Sequence, residues 1–185
     1  MFKRFRDSLP TEWVKYVVVA ILSIAIWIWA FGMYHAPKDT ETIALFYAGN
    51  VQDYAFESEA KDAFDYLKSV EVSSANPDGD AYNFKQKYQV VALMASDVVI
   101  VPESIAKDTD CKVVFTEWEG IGGKPFIPQD VDQAYGVYLP DHARDRLRRF
   151  FVFKDEPYVV CAVAASVNSG KETDHSMRFI EWLVK

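Results

Sequence analysis

From Tyr16 to Tyr34 the chain reads YVVVAILSIAIWIWAFGMY, an uncharged stretch broken only by Ser23 and Gly32. At about 1.5 Å per residue this gives roughly 28 Å of helix, close to the hydrocarbon thickness of a bilayer. The stretch can span, and a buried helix of a soluble domain rarely runs so far without a polar position. Trp13, Tyr16, Trp27, Trp29 and Tyr34 set aromatic rings toward its two ends, where rings prefer the headgroup layer. Lys3, Arg4, Arg6 and Lys15 precede the span, whereas Lys38 is the one basic residue just after it. The positive-inside rule therefore predicts a single-pass protein of the cell membrane, with a cytoplasmic amino terminus and the carboxyl-terminal domain outside. A cleaved signal peptide would have a shorter apolar core and a small-x-small site. Ala30-Phe31-Gly32 is the one such triplet, and it lies inside the run with bulky Met33 and Tyr34 behind it. The reading is a basic stub over 1–15 and an uncleaved anchor over 16–34.

Charge then limits what the outside part can touch. The chain has a formal net charge of −7, and residues 1–34 carry four basic and two acidic side chains. Beyond them remain sixteen basic against twenty-five acidic, a net of −9. A nucleic-acid partner needs a basic face and is not expected. Anionic lipid surfaces should be repelled. Both cysteines, Cys111 and Cys161, fall where a disulfide is chemically permitted, so they are either two buried thiols or a bridged pair.

A polar connector, HAPKDTE over 35–41, leads into about 145 residues, enough for one well-buried core. Thr42 to Tyr47 reads as an apolar strand. Asp53 to Lys68 reads as a helix by the three-and-four spacing of Phe56, Ala60, Ala63, Phe64 and Leu67. Val70 to Ser74 is a short strand entering the turn Asn76-Pro77-Asp78-Gly79. Phe84 to Ala95 reads as a helix, and Val98 to Val101 as a β-branched strand of the kind buried in parallel sheets. Lys112 to Phe115 and Tyr135 to Leu139 are further strand candidates, and Arg144 to Phe150 a basic helical turn. Phe150 to Phe153 and Tyr158 to Ala165 form a candidate hairpin. Thr173 or Asp174 caps a last helix through HSMRFIEWLVK. Strands alternating with helices predict one α/β domain over 42–185, a three-layer sandwich with a mostly parallel sheet.

The chemical motifs fail on spacing. Aligning Gly79 with the sixth position of a calcium loop puts Lys85 where a bidentate Glu must stand. Gly120 to Pro125 has Trp118 and Pro125 where a phosphate loop needs Gly and Ser/Thr, and Ser169 to Glu172 fails likewise. His35, His142 and His175 have no ligand spacing, and no Gly-x-Ser-x-Gly elbow exists. No catalytic residue, metal site or cofactor is indicated. Acidic pairs such as Glu57 and Glu59 read as solvated helix faces. Arg144, Arg146, Arg148 and Arg149 form the one local basic cluster, a solvated face or a grip for an acidic partner.

TIALFYAGN behind an anchor, the helix from Asp53, VEVSS and the segment LMASDVVIVPES together resemble the first lobe of an extracellular solute-binding protein of the type II periplasmic-binding fold. YGVYLP resembles the strand before crossover to a second lobe. The tail YVVCAVAASVNSGKETDHSMRFIEWLVK resembles the strand, Asn-containing loop and helix that close the first lobe. Between Pro140 and Pro157, however, only a short segment stands where the family places a whole second lobe. Without that lobe no hinge can close around a ligand. The resemblance implies ligand-facing or partner-facing groups beyond the carboxyl ends of the strands. The matching positions are Asn50 and Asp53, Ser74, Glu103 and Ser104, and Ser166 and Asn168. The expected function is that of a membrane-anchored, non-catalytic binding or accessory protein, related to the solute-binding component of a transport system. The alternative is a structural or assembly protein of the cell envelope. Expected partners are the bilayer through residues 16–34 and a membrane or envelope protein, with small-molecule binding weak or absent.

Overall fold

The structure is a computed structural model describing residues 2–35, 38–118, 122–129, 131–169 and 174–185. The chain divides into two compact units, Met1–Pro37 and Lys38–Lys185. The first is one helix, α1, Phe2–His35, and its Trp13–Met33 portion is long and apolar enough to cross a membrane. Its large apolar side chains from Trp13 to Met33 are exposed.

The second unit is α/β. Its six-stranded sheet is built from β1 (Thr42–Ala48), β3 (Ser69–Ala75), β4 (Val98–Pro102), β5 (Pro125–Phe126), β6 (Gly136–Tyr138) and β8 (Tyr158–Ala162). The strand order is β3-β1-β4-β8-β6-β5. β3, β1 and β4 are parallel neighbours, as expected from their sequences, with Ile43 opposite Val70 and Leu45 opposite Val98. β8 enters antiparallel to both β4 and β6, and β5 antiparallel to β6. Four of the six strands thus share one direction.

Side chains alternate across this sheet with the two-residue period of a strand. Ile43, Leu45, Tyr47, Val98, Ile100, Val160 and Ala162 face one apolar cluster, closed by α2 (Ala55–Asp62), α6 (Asp141–Leu147) and α7 (His175–Val184). Phe46, Ala48, Val99, Val101, Val159 and Cys161 face the other, closed by Tyr88, Ala92, Ala106, Cys111 and Phe115. Both faces are covered, which is why these strands read as unbroken apolar runs. The first cluster is dense in rings: Phe56 meets Phe150 and Phe151 edge-on at 5.5 and 5.0 Å.

Several expectations are corrected. α2 ends at Asp62, because Ala63, Phe64 and Leu67 donate to carbonyls three residues back, and these tight turns bring Lys68 N–H onto Glu41 O at 2.8 Å. Helix α3 (Ala81–Lys87) starts earlier than expected because the Asp80 carboxylate caps Tyr82 N–H at 2.9 Å. It then widens into a π-helical turn over Tyr88–Ala92. Lys112 to Phe115 is no strand: Cys111–Val114 form one helical turn, α5, and only Phe115 bridges to Val163. The expected hairpin is absent as well. β7 (Phe151–Val152) pairs with β2 (Asn50–Val51), while β8 is drawn into the sheet between β4 and β6. Asp174 caps α7 through Met177 N–H at 2.9 Å, and Thr173 lies outside the described residues. So do Gly120 and Ile121, and the Gly170 to Glu172 part of the second Gly-Lys loop. The turn at Asn76 is as read, with the Asn76 side chain accepting from Asp78 N–H at 3.0 Å.

Cys111 and Cys161 are free and buried, so the bridged alternative is not the one the structure takes. Burial pushes the Cys111 thiol up to about 11 and the Cys161 thiol well above its ordinary value. The arginine cluster is spent internally. Arg146 donates to Trp182 O and Leu183 O at 2.9 and 3.0 Å, satisfying the last carbonyls of α7. Arg149 pairs with Glu59 and lies over the Phe150 ring at 4.5 Å. Glu57 is likewise no idle surface group, since its carboxylate accepts Val72 N–H of the edge strand β3 at 2.9 Å.

Candidate functional site

In an open parallel sheet, groups that can meet a ligand gather beyond the carboxyl ends of the strands. That edge holds Asn50, Asp53, Ser74, Glu103 and Ser104, but the fold divides them. Asn50 is used by the β2–β7 ribbon, opposite Val152. Asp53 accepts Ala55 N–H at 2.8 Å in the turn that leads into α2, and its own N–H reaches Phe150 O at 3.3 Å. Gln52 N–H also donates to Phe150 O, at 2.7 Å. Ser74 lies half-buried on β3, opposite Tyr47. The segment 141–157 therefore folds down as a strap across the end of β1. Phe151 packs on Tyr47 at 4.7 Å between ring centroids, and the Tyr47 hydroxyl donates to Val152 O. Burial drives the Tyr47 phenol far above its ordinary value, so it stays a donor.

Glu103 opens onto a different place, a cavity of about 510 Å3 beyond β4, β6 and the start of β8, while Ser104 follows it without lining that cavity. Its wall includes Lys124, Tyr138, Asp141, Arg144, Asp155 and Glu156. Glu103 accepts from Tyr138 Oη at 2.7 Å and pairs with Lys107 Nζ at 2.9 Å. The Lys107 ammonium first, then the Tyr138 hydroxyl, hold its carboxyl below the usual range. Burial, then the adjacent Glu103 carboxylate, push the Tyr138 phenol up to about 12. Ser104 Oγ donates to Glu156 Oε2 at 3.0 Å, and Arg144 Nη1 to Glu156 O at 3.2 Å. Lys124 stands over the Tyr138 ring at 4.7 Å. These are mutually neutralising pairs at an open wall. They fix the strap's return into β8, helped by Glu103 N–H on Pro157 O at 2.9 Å.

Ser166 and Asn168 are not at this edge. They follow β8, and because β8 runs antiparallel to β4 its end lies at the amino edge of the sheet. There they close a buried polar knot on Asp97. Asp97 Oδ2 accepts Ala44 N–H at 2.7 Å, and Oδ1 accepts from the Ser166 hydroxyl and from Asn168 Nδ2, the latter at 3.1 Å. Asn168 Nδ2 also reaches Thr42 O at 2.9 Å and Asp39 O at 3.1 Å. Asn168 and Asp97 are buried, which makes this a structural device rather than a binding surface.

Among the described residues no group of three or more His, Cys, Asp or Glu could hold a metal ion. The resemblance pointed to Glu103 and Ser104, and the basic cluster included Arg144, but nothing in the sequence singled out Tyr138 and Glu156, which the sheet order brings to the same cavity wall as Glu103 and Arg144. No known protein family, curated protein or solved structure matches this chain.

Proposed function

We propose that this chain is a single-pass membrane protein whose basic amino terminus is cytoplasmic. Its three-layer α/β domain stands outside as a one-lobed relative of extracellular solute-binding proteins. In this reading the domain is a non-catalytic accessory module that works through contacts with a membrane or envelope protein. The observation that carries it is the strap, because Phe150, Phe151 and Val152 occupy the end of β1 where a solute would be gripped. Two features support the kinship: the parallel neighbours β3, β1 and β4, and the return of the tail as β8 and α7 onto the same lobe.

The cavity beside Glu103 favours, as a second reading, weak capture of a small polar solute. It is open to solvent, so each hydrogen bond gained there contributes only about 0.5–1.5 kcal/mol net, set against several kcal/mol of lost freedom. The expected affinity is high micromolar at best. Calorimetry of the full chain in detergent against sugars, amino acids and peptides tests this, and a sub-micromolar ligand would overturn the accessory reading. Pull-down through the intact helix should recover a defined membrane or envelope protein. Orientation is tested separately: protease added to intact cells should remove a carboxyl-terminal tag, and complete protection of the tag reverses the topology.

A further inference from the structure

The cavity beside Glu103 holds charges that the fold leaves unmatched. Glu103 is committed to Lys107 and Tyr138, and Glu156 to Ser104. The remaining charged groups on the wall are Lys124, Arg144, Asp141 and Asp155, two of each sign. The Arg144 side chain is only 19% exposed, yet among the described residues its guanidinium makes a single hydrogen bond, from Nη1 to Glu156 O at 3.2 Å. Its Nε is buried without a partner, and Nη2 stands 3.7 Å from Asp141 Oδ1, too far for a hydrogen bond. Lys124 lies over the Tyr138 ring, with no carboxylate at ion-pair distance among the described residues. Asp155 is exposed and, among the described residues, makes no hydrogen bond or ion pair. Leu139, Pro140 and Pro157 complete the wall with apolar surface.

We infer that this cavity binds a small zwitterion, a molecule with a free carboxylate and a free ammonium, of the amino-acid or short-peptide class. A guanidinium fork with idle donors matches a carboxylate, and Lys124 adds charge of the same sign. Asp155 supplies the acceptor for an ammonium. A neutral, hydroxyl-rich solute would displace water from four charges and neutralise none of them. Nor do the described lining residues offer it an amide or a small hydroxyl side chain. A ligand of one sign would satisfy one pair of wall charges and be repelled by the other. A zwitterion neutralises Arg144 and Asp155 together, while Leu139, Pro140 and Pro157 take its apolar part. The cavity is larger than a single amino acid needs, so a short peptide fits as well.

The inference rests on the weak-capture reading above and names its ligand class. The full chain in an uncharged polyoxyethylene detergent is titrated with alanine, with alanyl-alanine, with each of these acetylated at the amine or amidated at the carboxyl, and with trehalose. Saturation-transfer NMR of the ligand reads the binding. Free alanine or free alanyl-alanine should bind with a Kd between about 0.1 and 5 mM, and the tighter of the two identifies the source. Blocking either end of the tighter one should weaken it at least about fivefold. Asp155→Asn, at a side chain that makes no bond among the described residues, should weaken the free zwitterion about fivefold and leave its acetylated form unchanged. Blocked forms that bind as tightly as free ones, or an Asp155→Asn chain that binds the free zwitterion like the parent, overturn the inference. Trehalose bound as tightly as the free zwitterion also overturns it and leaves weak capture of a polar solute standing. Binding by none of the probes at about 10 mM overturns both.

Discussion

The two edges of the sheet are held by opposite means. At the amino edge one buried carboxylate, Asp97, gathers a backbone N–H, a hydroxyl and an amide from two distant segments. At the carboxyl edge charged groups pair along an open wall, and the strap is held mainly by rings, Phe150, Phe151 and Tyr47. A buried acceptor with several donors is costly to remove because each donor is left dry. An exposed pair is replaced by water at little expense. The amino edge should therefore be the rigid end of the domain and the carboxyl edge the end that tolerates change.

The sharpest way to break this comparison is Asp97→Ala. It leaves Ala44 N–H, the Ser166 hydroxyl and one Asn168 bond without their acceptor, and is expected to cost about 3 kcal/mol, on the order of 10 °C in Tm. Denaturant unfolding of the full chain in detergent measures it, and a loss under about 1 kcal/mol would show that the knot is not what holds this edge. Next, Tyr47→Phe removes the donor to Val152 O and should cost about 1–2 kcal/mol. Hydrogen exchange should then quicken at Gln52 and Asp53 while the amides of β4 are unchanged. Equal quickening in both places would mean that the strap is not a separate unit.

Glu103→Gln is expected to change stability by no more than about 0.5–1 kcal/mol, since the pair with Lys107 is partly solvated. Because the folded carboxyl sits below its ordinary value of about 4.3, whatever it contributes is fully present above that pH and fades as pH falls through the folded value. The mutant's Tm should therefore approach the parent's at strongly acid pH. A gap that widens there would contradict the pairing.

The smallest effect concerns His175, whose ring stacks on Tyr66 at 4.2 Å. Burial, then Arg178, lower its pKa below the usual value of about 6.5, so the unfolded chain binds the proton more readily and stability falls on acidification below that pH. Between pH 7 and pH 5 the parent should lose about 1–2 °C more than His175→Gln. Identical slopes would remove His175 from the account.

The uncharged run Tyr16 to Tyr34, the three parallel strands and the Asn76 turn could all be read from local pattern, because length, period and side-chain capping act within a few residues. The place of Glu103 and Ser104 just past a buried strand was legible too. What the tertiary structure alone decided is direction and neighbourhood. Tyr158 to Ala162 is apolar whichever way it runs, and hydrophobic content reports burial without orientation. Only pairing with β4 and β6 makes β8 antiparallel, and that one choice carries Ser166 and Asn168 from the carboxyl edge to the knot on Asp97. Likewise Phe151 and Val152 have the residues of a hairpin arm, but the aromatic pocket of Tyr47 and Phe56 draws them to β2. In each case contacts between residues far apart in sequence outweighed a weak local preference, because the apolar area they bury together exceeds what either segment could bury alone.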